Sequence, residues 1–328
     1  MELAPGLQTV SKLPRVVTIG MFDGVHPGHQ ATIRRCIELA RARAIRSTVL
    51  TFARHPLAVL APSHAPQLLT SREERIRLIE ALGPDELVML PFNAALAAMT
   101  PQEFCAHVLA DRLDARVVVV GENFHFGARG AGSAATLRAC GAGHGFETEV
   151  VGLQIGEAGP ISSTRIRAML RAGAVEDVRA VLGRPPSLSA RVVSGAGRGR
   201  SAVGVPTANL AAPPELMLPG RGVYAARALH AGVWYRAAVN VGRNPTFTGA
   251  ADSPDAVEAH LLGFSGELLG ESLRLEFLQK LRDERRFASV SELSAQIRRD
   301  LDVVAACADE AFTEVGLGTP VEAPSGRS

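Results

Sequence analysis

The 328-residue chain reads as an α/β protein in two parts: a doubly wound parallel sheet, then a small antiparallel β-barrel closed by one helix. Three observations predict this. Apolar β-type runs alternate with amphipathic helical segments from Arg15 to Leu182. Gly183-Arg-Pro-Pro-Ser187 then breaks the last of those helices. Beyond it the helical period vanishes for roughly a hundred residues, and short β-type runs recur at hairpin-like spacing. A chain of this length is long enough for two domains. The sequence places them at 1–183 and 189–315, with a linker at 184–188 and a Gly-, Pro-, Ser- and Ala-rich tail at 316–328 expected to be disordered.

The first part opens on Arg15-Val-Val-Thr-Ile-Gly-Met-Phe-Asp-Gly-Val-His-Pro-Gly-His29. Val16, Val17 and Ile19 make the apolar run of a buried parallel strand. Gly20 and Gly24 punctuate a tight turn, where the backbone takes positive φ or approaches a ligand closely. After Gly28 a helix shows Ile33, Ile37, Ala40 and Ala44 along one stripe. Residues 47–52 and 86–92 read as strands, and 72–82 as a helix with Ile76, Ile79 and Leu82 on one face. Thr100-Pro-Gln-Glu103 is a capping box with proline at the first helical position, opening a helix to about Leu113. Four consecutive valines at 117–120 predict a strand buried on both faces. A helix at 133–140 and a strand at 147–151 follow. Two helices close this half, one carrying Ile166, Met169 and Leu170, the other Val175, Val178, Val181 and Leu182.

In the second part the β-type runs are 188–193, 222–229, 233–241, 257–262 and 272–277. Ser289 and Glu292 form a capping box for a final helix with Leu293, Ile297, Leu301, Val304 and Ala308 on one face.

Composition excludes several classes. No apolar run approaches the ~20 residues that span a bilayer, and the opening residues lack a leader's basic and apolar regions, so a soluble cytoplasmic protein is expected. A net charge of +2 gives no field for nucleic acid or membranes. Cys36, Cys105, Cys140 and Cys307 are far apart in sequence and form no C-x-x-C pair, so they read as small buried hydrophobes. Arg198 and Arg200 are too thin a basic patch for an RNA-binding regulator.

The polar motifs lie where a doubly wound sheet binds ligands, beyond the carboxyl ends of its strands. His26 and His29 stand at a helix start, whose free N–H groups and dipole suit phosphate. No Lys-Ser/Thr follows the glycines, so this is not a Walker loop. Gly121-Glu-Asn-Phe-His-Phe-Gly127 offers Phe124 and Phe126 to flank a flat heterocycle, or to tuck into the core. Ser162, Ser163 and Thr164 with Arg165 and Arg167 exceed what a helix cap requires and suggest a second phosphate clamp. In the second half, alternation in Pro206-Thr-Ala-Asn209 puts Thr207 and Asn209 on one side, hard oxygen ligands suited to Mg²⁺ carrying phosphates. Glu258 is a carboxylate inside an apolar strand, a candidate general base or a partner for an arginine such as Arg243.

Taken in order, these segments resemble the bifunctional prokaryotic riboflavin kinase/FMN adenylyltransferase family, over about residues 10 to 312. Thr51-Phe-Ala-Arg-His-Pro56, Gly222-Val-Tyr-Ala225 and Asn240-Val-Gly-Arg-Asn-Pro-Thr-Phe247 complete the likeness. It implies a Rossmann-like nucleotidylyltransferase domain followed by a riboflavin-kinase barrel, with riboflavin, FMN and ATP as substrates, Mg²⁺ as cofactor and FMN and FAD as products. It also implies an adenylyltransferase ATP site of Gly20, Phe22, Asp23, Gly24, His26, His29, Ser163, Thr164 and Arg167, with flavin contacts at His55, Asn123 and Phe124. For the kinase it implies Gly204, Pro206, Thr207 and Asn209 on ATP and metal, and Glu258 as base. The alternative is an adenylyltransferase whose barrel only holds flavin or phosphorylates it weakly. Gly263 and Leu269 stand where the family usually carries Asp and Tyr, and Pro186 replaces a common aromatic.

Overall fold

The computed structural model describes residues 1–157, 159–194, 206–243 and 255–307, without the side chains of Arg243 and Asp255. The chain divides into two compact units, Met1–Arg167 and Ala168–Ser328.

The first unit is a six-stranded parallel sheet in the order β1-β4-β3-β2-β5-β8. Its strands are β1 (Glu2–Ala4), β2 (Arg15–Ile19), β3 (Arg46–Phe52), β4 (Glu86–Leu90), β5 (Ala115–Gly121) and β8 (Glu147–Val151). From β2 the chain winds outward through β3 and β4, then returns to place β5 on the other side of β2. That reversal makes a switch point, so the loops after β2 and β5 flank one crevice. Val117 to Val120 are buried, as four successive valines predict for an interior strand.

The helices are α1 (Pro27–Ala42), α2 (Pro56–Leu60), α3 (Arg72–Glu80), α4 (Ala94–Ala98), α5 (Pro101–Glu103), α6 (Ala134–His144) and α7 (Ser163–Arg171). The Thr100 capping box is present, and α5 continues as a π-helix over Phe104–Arg112. Ile33, Cys36, Ile37 and Ala40 form the buried stripe of α1. Ala44 falls outside it, at φ 51° past the helix end. On α3 the buried side is Glu74, Arg75, Leu78 and Ile79, whereas Ile76 and Leu82 are only half-buried. Two-residue strands β6 (His125–Phe126) with β7 (Gly132–Ser133), and β9 (Ile155–Gly156) with β10 (Gly159–Pro160), close the remaining loops. Cys105 is buried and Cys140 half-buried, and both are free thiols.

At the amino ends of the strands the sheet encloses an ion pair. Arg15 Nε donates to Glu86 Oε2 at 2.8 Å, and Thr48 Oγ1 donates to the same oxygen at 2.8 Å. Both charged side chains are at most 1% exposed. Burial alone would raise the Glu86 pKa, but the bonds from Arg15 and Thr48 prevail and hold it low.

The second unit is a closed antiparallel barrel in the order β11-β12-β15-β14-β13-β16. Its strands are β11 (Ser187–Val193), β12 (Ala208–Leu210), β13 (Gly222–His230), β14 (Val233–Arg243), β15 (Asp255–Leu261) and β16 (Ser272–Arg282). Tyr224, Val239, Val257, Ala259, Leu275 and Phe277 fill the interior. The composition boundary at 183 coincides with the end of α8 (Val175–Leu182), whereas compactness divides the chain after Arg167. Chain contacts explain that difference: Gly220 N–H donates to Leu170 O at 2.8 Å, and Lys280 N–H donates to Glu176 Oε1 at 3.0 Å.

Helix α9 (Val290–Ala306) is clamped to the barrel. Arg282 grips the buried Asp300 carboxylate through Nε and Nη2, and Arg236 Nη1 donates to the carbonyls of Val304, Ala305 and Cys307. At its start Ser289 Oγ accepts from Glu292 N–H, but the Glu292 carboxylate takes the N–H of Ala288 rather than that of Ser289, so the predicted box closes one residue early. Ala308 and the 316–328 tail lie outside the described residues.

Candidate functional sites

The first site is built on the turn from β2 into α1. Phe22, Gly24 and Val25 take φ of 49°, 80° and 39°. Left-handed backbone is costly for Phe and more so for β-branched Val, so the surroundings must hold it. They do so through Asp23. Its buried carboxylate accepts from Leu69 N–H at 2.9 Å, Thr70 N–H at 3.2 Å and Arg167 Nη2 at 2.5 Å. Arg167 Nε also donates to Gln67 O at 2.7 Å, and Ser163 Oγ donates to Asp23 O at 3.0 Å. The two polar motifs, far apart in sequence, are thereby bolted to one another. Thr164 is exposed beside them.

His26 caps α1: its Nδ1 accepts from His29 N–H at 3.4 Å. An accepting Nδ1 leaves the proton of the neutral ring on Nε2. The rings of His26 and His29 stack, centroids 3.6 Å apart, and Phe22 meets His29 edge-on at 5.4 Å. A Cβ at Gly28 would lie 3.1 Å from His26 Cε1, so the missing side chain makes room for that ring.

His55 follows β3 and caps α2 through Nδ1, which accepts from Leu57 N–H at 3.2 Å. Burial, then the nearby Arg167 and Arg75, push its pKa down. A neutral His55 therefore presents an Nε2–H donor rather than a charge. Asn123 is exposed in the loop after β5. Phe124 and Phe126 do not flank a gap: they stack on each other at 5.5 Å and 12° and pack against the core. Rings at that spacing leave no room for a heterocycle between them. One face of Phe124 is already used.

The second site lies on the outer face of the barrel. Val257, Ala259 and Leu261 point inward, so Glu258 and His260 face outward. The register places Glu258 opposite Asn209 on β12 and opposite Asn240 on β14. Cross-strand neighbours of this kind have side chains within reach of one another. Ala208 and Leu210 are buried, so Asn209 points outward, with Thr207 exposed just before it. Burial raises the Glu258 pKa, and among the described residues no side chain is paired with its carboxyl group. Pro206 O can only accept, so the 2.7 Å contact with His260 Nδ1 puts the proton on that nitrogen and anchors the Pro206–Asn209 segment. Gly204 and residues 244–247 lie outside the described residues, as does the Arg243 side chain.

Several residues on these sites were not singled out from the sequence. Leu69 and Thr70 hold Asp23, Arg75 sits beneath the turn, and His260 lies on the Glu258 side of its strand; Asn240, first residue of a motif quoted above without a role of its own, faces Glu258 from β14. At Gly242 a Cβ would lie 2.5 Å from Glu284 Oε1 and 3.3 Å from Asn240 Nδ2, so the glycine lets that carboxylate approach. Asn240 was readable, since it is a polar residue in an apolar strand. Leu69 carried no signal, because it acts through its backbone N–H, whereas Thr70 also donates its hydroxyl to Asp23 Oδ1 and accepts from Gly24 N–H.

A profile described as FAD synthetase matches residues 9–165, and one described as riboflavin kinase matches residues 182–308. The chain is 35% identical over 304 residues to a bifunctional riboflavin kinase/FMN adenylyltransferase of Escherichia coli (strain K12), covering 92% of this chain and 96% of that one. It is 34% identical over 286 residues to the Bacillus subtilis (strain 168) protein of the same name, covering 87% and 90%. A crystal structure described as a macrolide-efflux protein from Streptococcus pneumoniae superposes with a TM-score of 0.83 at 31% identity, covering 94% of this chain and 100% of that chain. Among the described residues here, no helix is long and apolar enough to cross a membrane.

Proposed function

The chain belongs to the bifunctional riboflavin kinase/FMN adenylyltransferase family, and we propose that it makes FAD in two steps at the two sites just described. The barrel, residues 189–315, phosphorylates riboflavin with ATP. The amino-terminal module, residues 1–183, adenylylates FMN with a second ATP and releases pyrophosphate. The substrates are small molecules, and the work is cytoplasmic.

In the kinase step Glu258 takes the proton from the terminal ribityl hydroxyl of riboflavin, whose oxygen attacks the γ-phosphorus of ATP as the bond to the β-phosphate oxygen breaks and ADP leaves. A carboxylate with a raised pKa is the stronger base for this. Thr207 and Asn209 fit Mg²⁺: they offer hard oxygens beside Glu258, and such an ion is held by one or two protein groups plus substrate phosphates. Bound there, Mg²⁺ supplies neutralisation of phosphate charge. Asn209 and Asn240 stand opposite Glu258 on the two adjoining strands.

In the second step the phosphate of FMN attacks the α-phosphorus of ATP, and the bond to pyrophosphate breaks. The attacking oxygen is already anionic, so the residues need only position and screen. His26, His29, the amino end of α1, Ser163 and Arg167 take the triphosphate, with the Asp23 carboxylate and the Gln67 carbonyl fixing Arg167 and the Ser163 hydroxyl bonded to the Asp23 carbonyl. Gly20, Phe22 and Gly24 shape the turn, Thr164 adds a hydroxyl, and His55, Asn123 and the open face of Phe124 meet FMN. Gly204 and Pro206 complete the kinase nucleotide loop.

The observation that best supports this reading is the convergence of the Gly20–His29 and Ser163–Arg167 motifs on Asp23. Purified protein with riboflavin, ATP and Mg²⁺ tests it: FMN rises first, FAD and pyrophosphate follow. FAD appearing only when FMN is supplied would favour the barrel as a mere flavin holder.

A further inference from the structure

Arg75, on α3, is 1% exposed. Its Nη1 donates to Met21 O at 3.2 Å, its Nη2 donates to Phe52 O at 2.7 Å, and its buried Nε–H has no partner. Among the described residues no carboxylate pairs with it, unlike Arg15, which is equally buried but bonded to Glu86. The fields of Asp23, already engaged by Arg167, and of Glu73 favour its charge, but burial outweighs them. Burying a guanidinium without a counter-ion is costly, and an apolar or neutral side chain of similar size would serve packing better.

The carbonyls it holds are informative. Met21 immediately precedes the left-handed Phe22, and its carbonyl also accepts from Thr51 Oγ1 at 3.2 Å. Phe52 ends β3, three residues before His55. Arg75 therefore ties the loop that leads to His26 and His29 to the loop that carries His55. Both loops border the crevice where two anions, the triphosphate and the flavin phosphate, must meet.

We propose that Arg75 is a positioning residue for adenylyl transfer: a buried positive charge that locks the two loops together and offsets the repulsion between the reacting phosphates. It does not touch substrate. Its cost in stability is retained because the site needs the charge, a trade often found at active sites. The inference rests on the assignment of FMN adenylylation to the first unit.

The test compares Arg75→Lys and Arg75→Gln in the full chain, with the riboflavin kinase rate as an internal control. Lysine keeps the charge, whereas glutamine keeps a donor without it. Arg75→Gln is expected to lose FMN-to-FAD activity on the order of tenfold to a hundredfold, the scale of a small misplacement of reacting groups. The loss should fall in kcat rather than in KM for ATP, with Tm unchanged or raised and the kinase rate unchanged. Arg75→Lys should stay within about fivefold of the parent. A purely structural role predicts the reverse, a lower Tm with both activities falling together, and that result overturns the proposal. So does an Arg75→Gln enzyme with parental kcat, or an Arg75→Lys enzyme as impaired as Arg75→Gln. A parent protein that makes FMN but no FAD would instead sink the assignment of the first site.

Discussion

Glu258, in the middle of β15, and Asp23, in the turn after β2, are both carboxyl groups, yet their environments push them to opposite uses. Glu258 is half-buried with no cation bonded to it among the described residues, so its protonated form is favoured. Kinase activity should therefore fall on acidification through a pKa above the ordinary glutamate value, because the base must be ionised. The sign for stability is opposite: a raised folded pKa means the ionised group costs stability as pH rises past it. Glu258→Gln should abolish FMN formation, a loss of about 10²-fold or more, while leaving Tm at pH 7 equal or higher and FMN-to-FAD conversion intact. A pH–rate profile and a thermal scan check both. Asp23 instead accepts from four donor groups, Leu69 N–H, Thr70 N–H, Thr70 Oγ1 and Arg167 Nη2, and the side chains of this ion pair are at most 12% exposed. Asp23→Asn should destabilise the first unit by about 3 kcal/mol by stranding that cation, and should end FAD formation. Thr18, wholly buried in β2 with an unpartnered Oγ1, predicts the contrary: Thr18→Val should be neutral or stabilising by up to about 1 kcal/mol in denaturant unfolding. His26, His29, Asn209 and Glu258 were legible because each is a polar residue where pattern demands an apolar one or a helix begins. Arg75 was not, because an arginine on an amphipathic helix reads by default as its solvent face.

At the scale of elements, legibility followed length and periodicity. The five long strands of the sheet and the final helix were visible, since alternation or a continuous β-branched run leaves few alternatives. Strand β1, at three residues, and helices α2 and α4, at five each, carry too few repeats to register. Strand β12 likewise hid inside a motif read for its chemistry. The face of α3 was misjudged because its buried side includes Glu74 and Arg75, polar residues kept for contacts rather than for packing. Helix α9 shows how an element is anchored by charge. Arg282 and Asp300 form a forked pair, the arginine 19% and the aspartate 9% exposed. Arg282→Met should loosen α9 and cost about 2 kcal/mol, lowering Tm while the FMN-to-FAD rate stays at the parental value. Equal loss of both activities would show that α9 stabilises more than the barrel.

At the scale of the molecule, two folds with unrelated architectures carry two phosphate chemistries along one chain. The parallel sheet puts its polar loops at a topological switch point, while the barrel aligns Asn209, Glu258 and Asn240 across three adjacent strands. The most direct measurement mixes two crippled variants, Glu258→Gln and His29→Ala, with riboflavin, ATP and Mg²⁺, and follows FAD. With two independent sites, His29→Ala alone accumulates FMN, Glu258→Gln alone makes neither flavin nucleotide, and the mixture makes FAD. A mixture that yields no FAD, from folded variants, would contradict the assignment of separate chemistry to the two units.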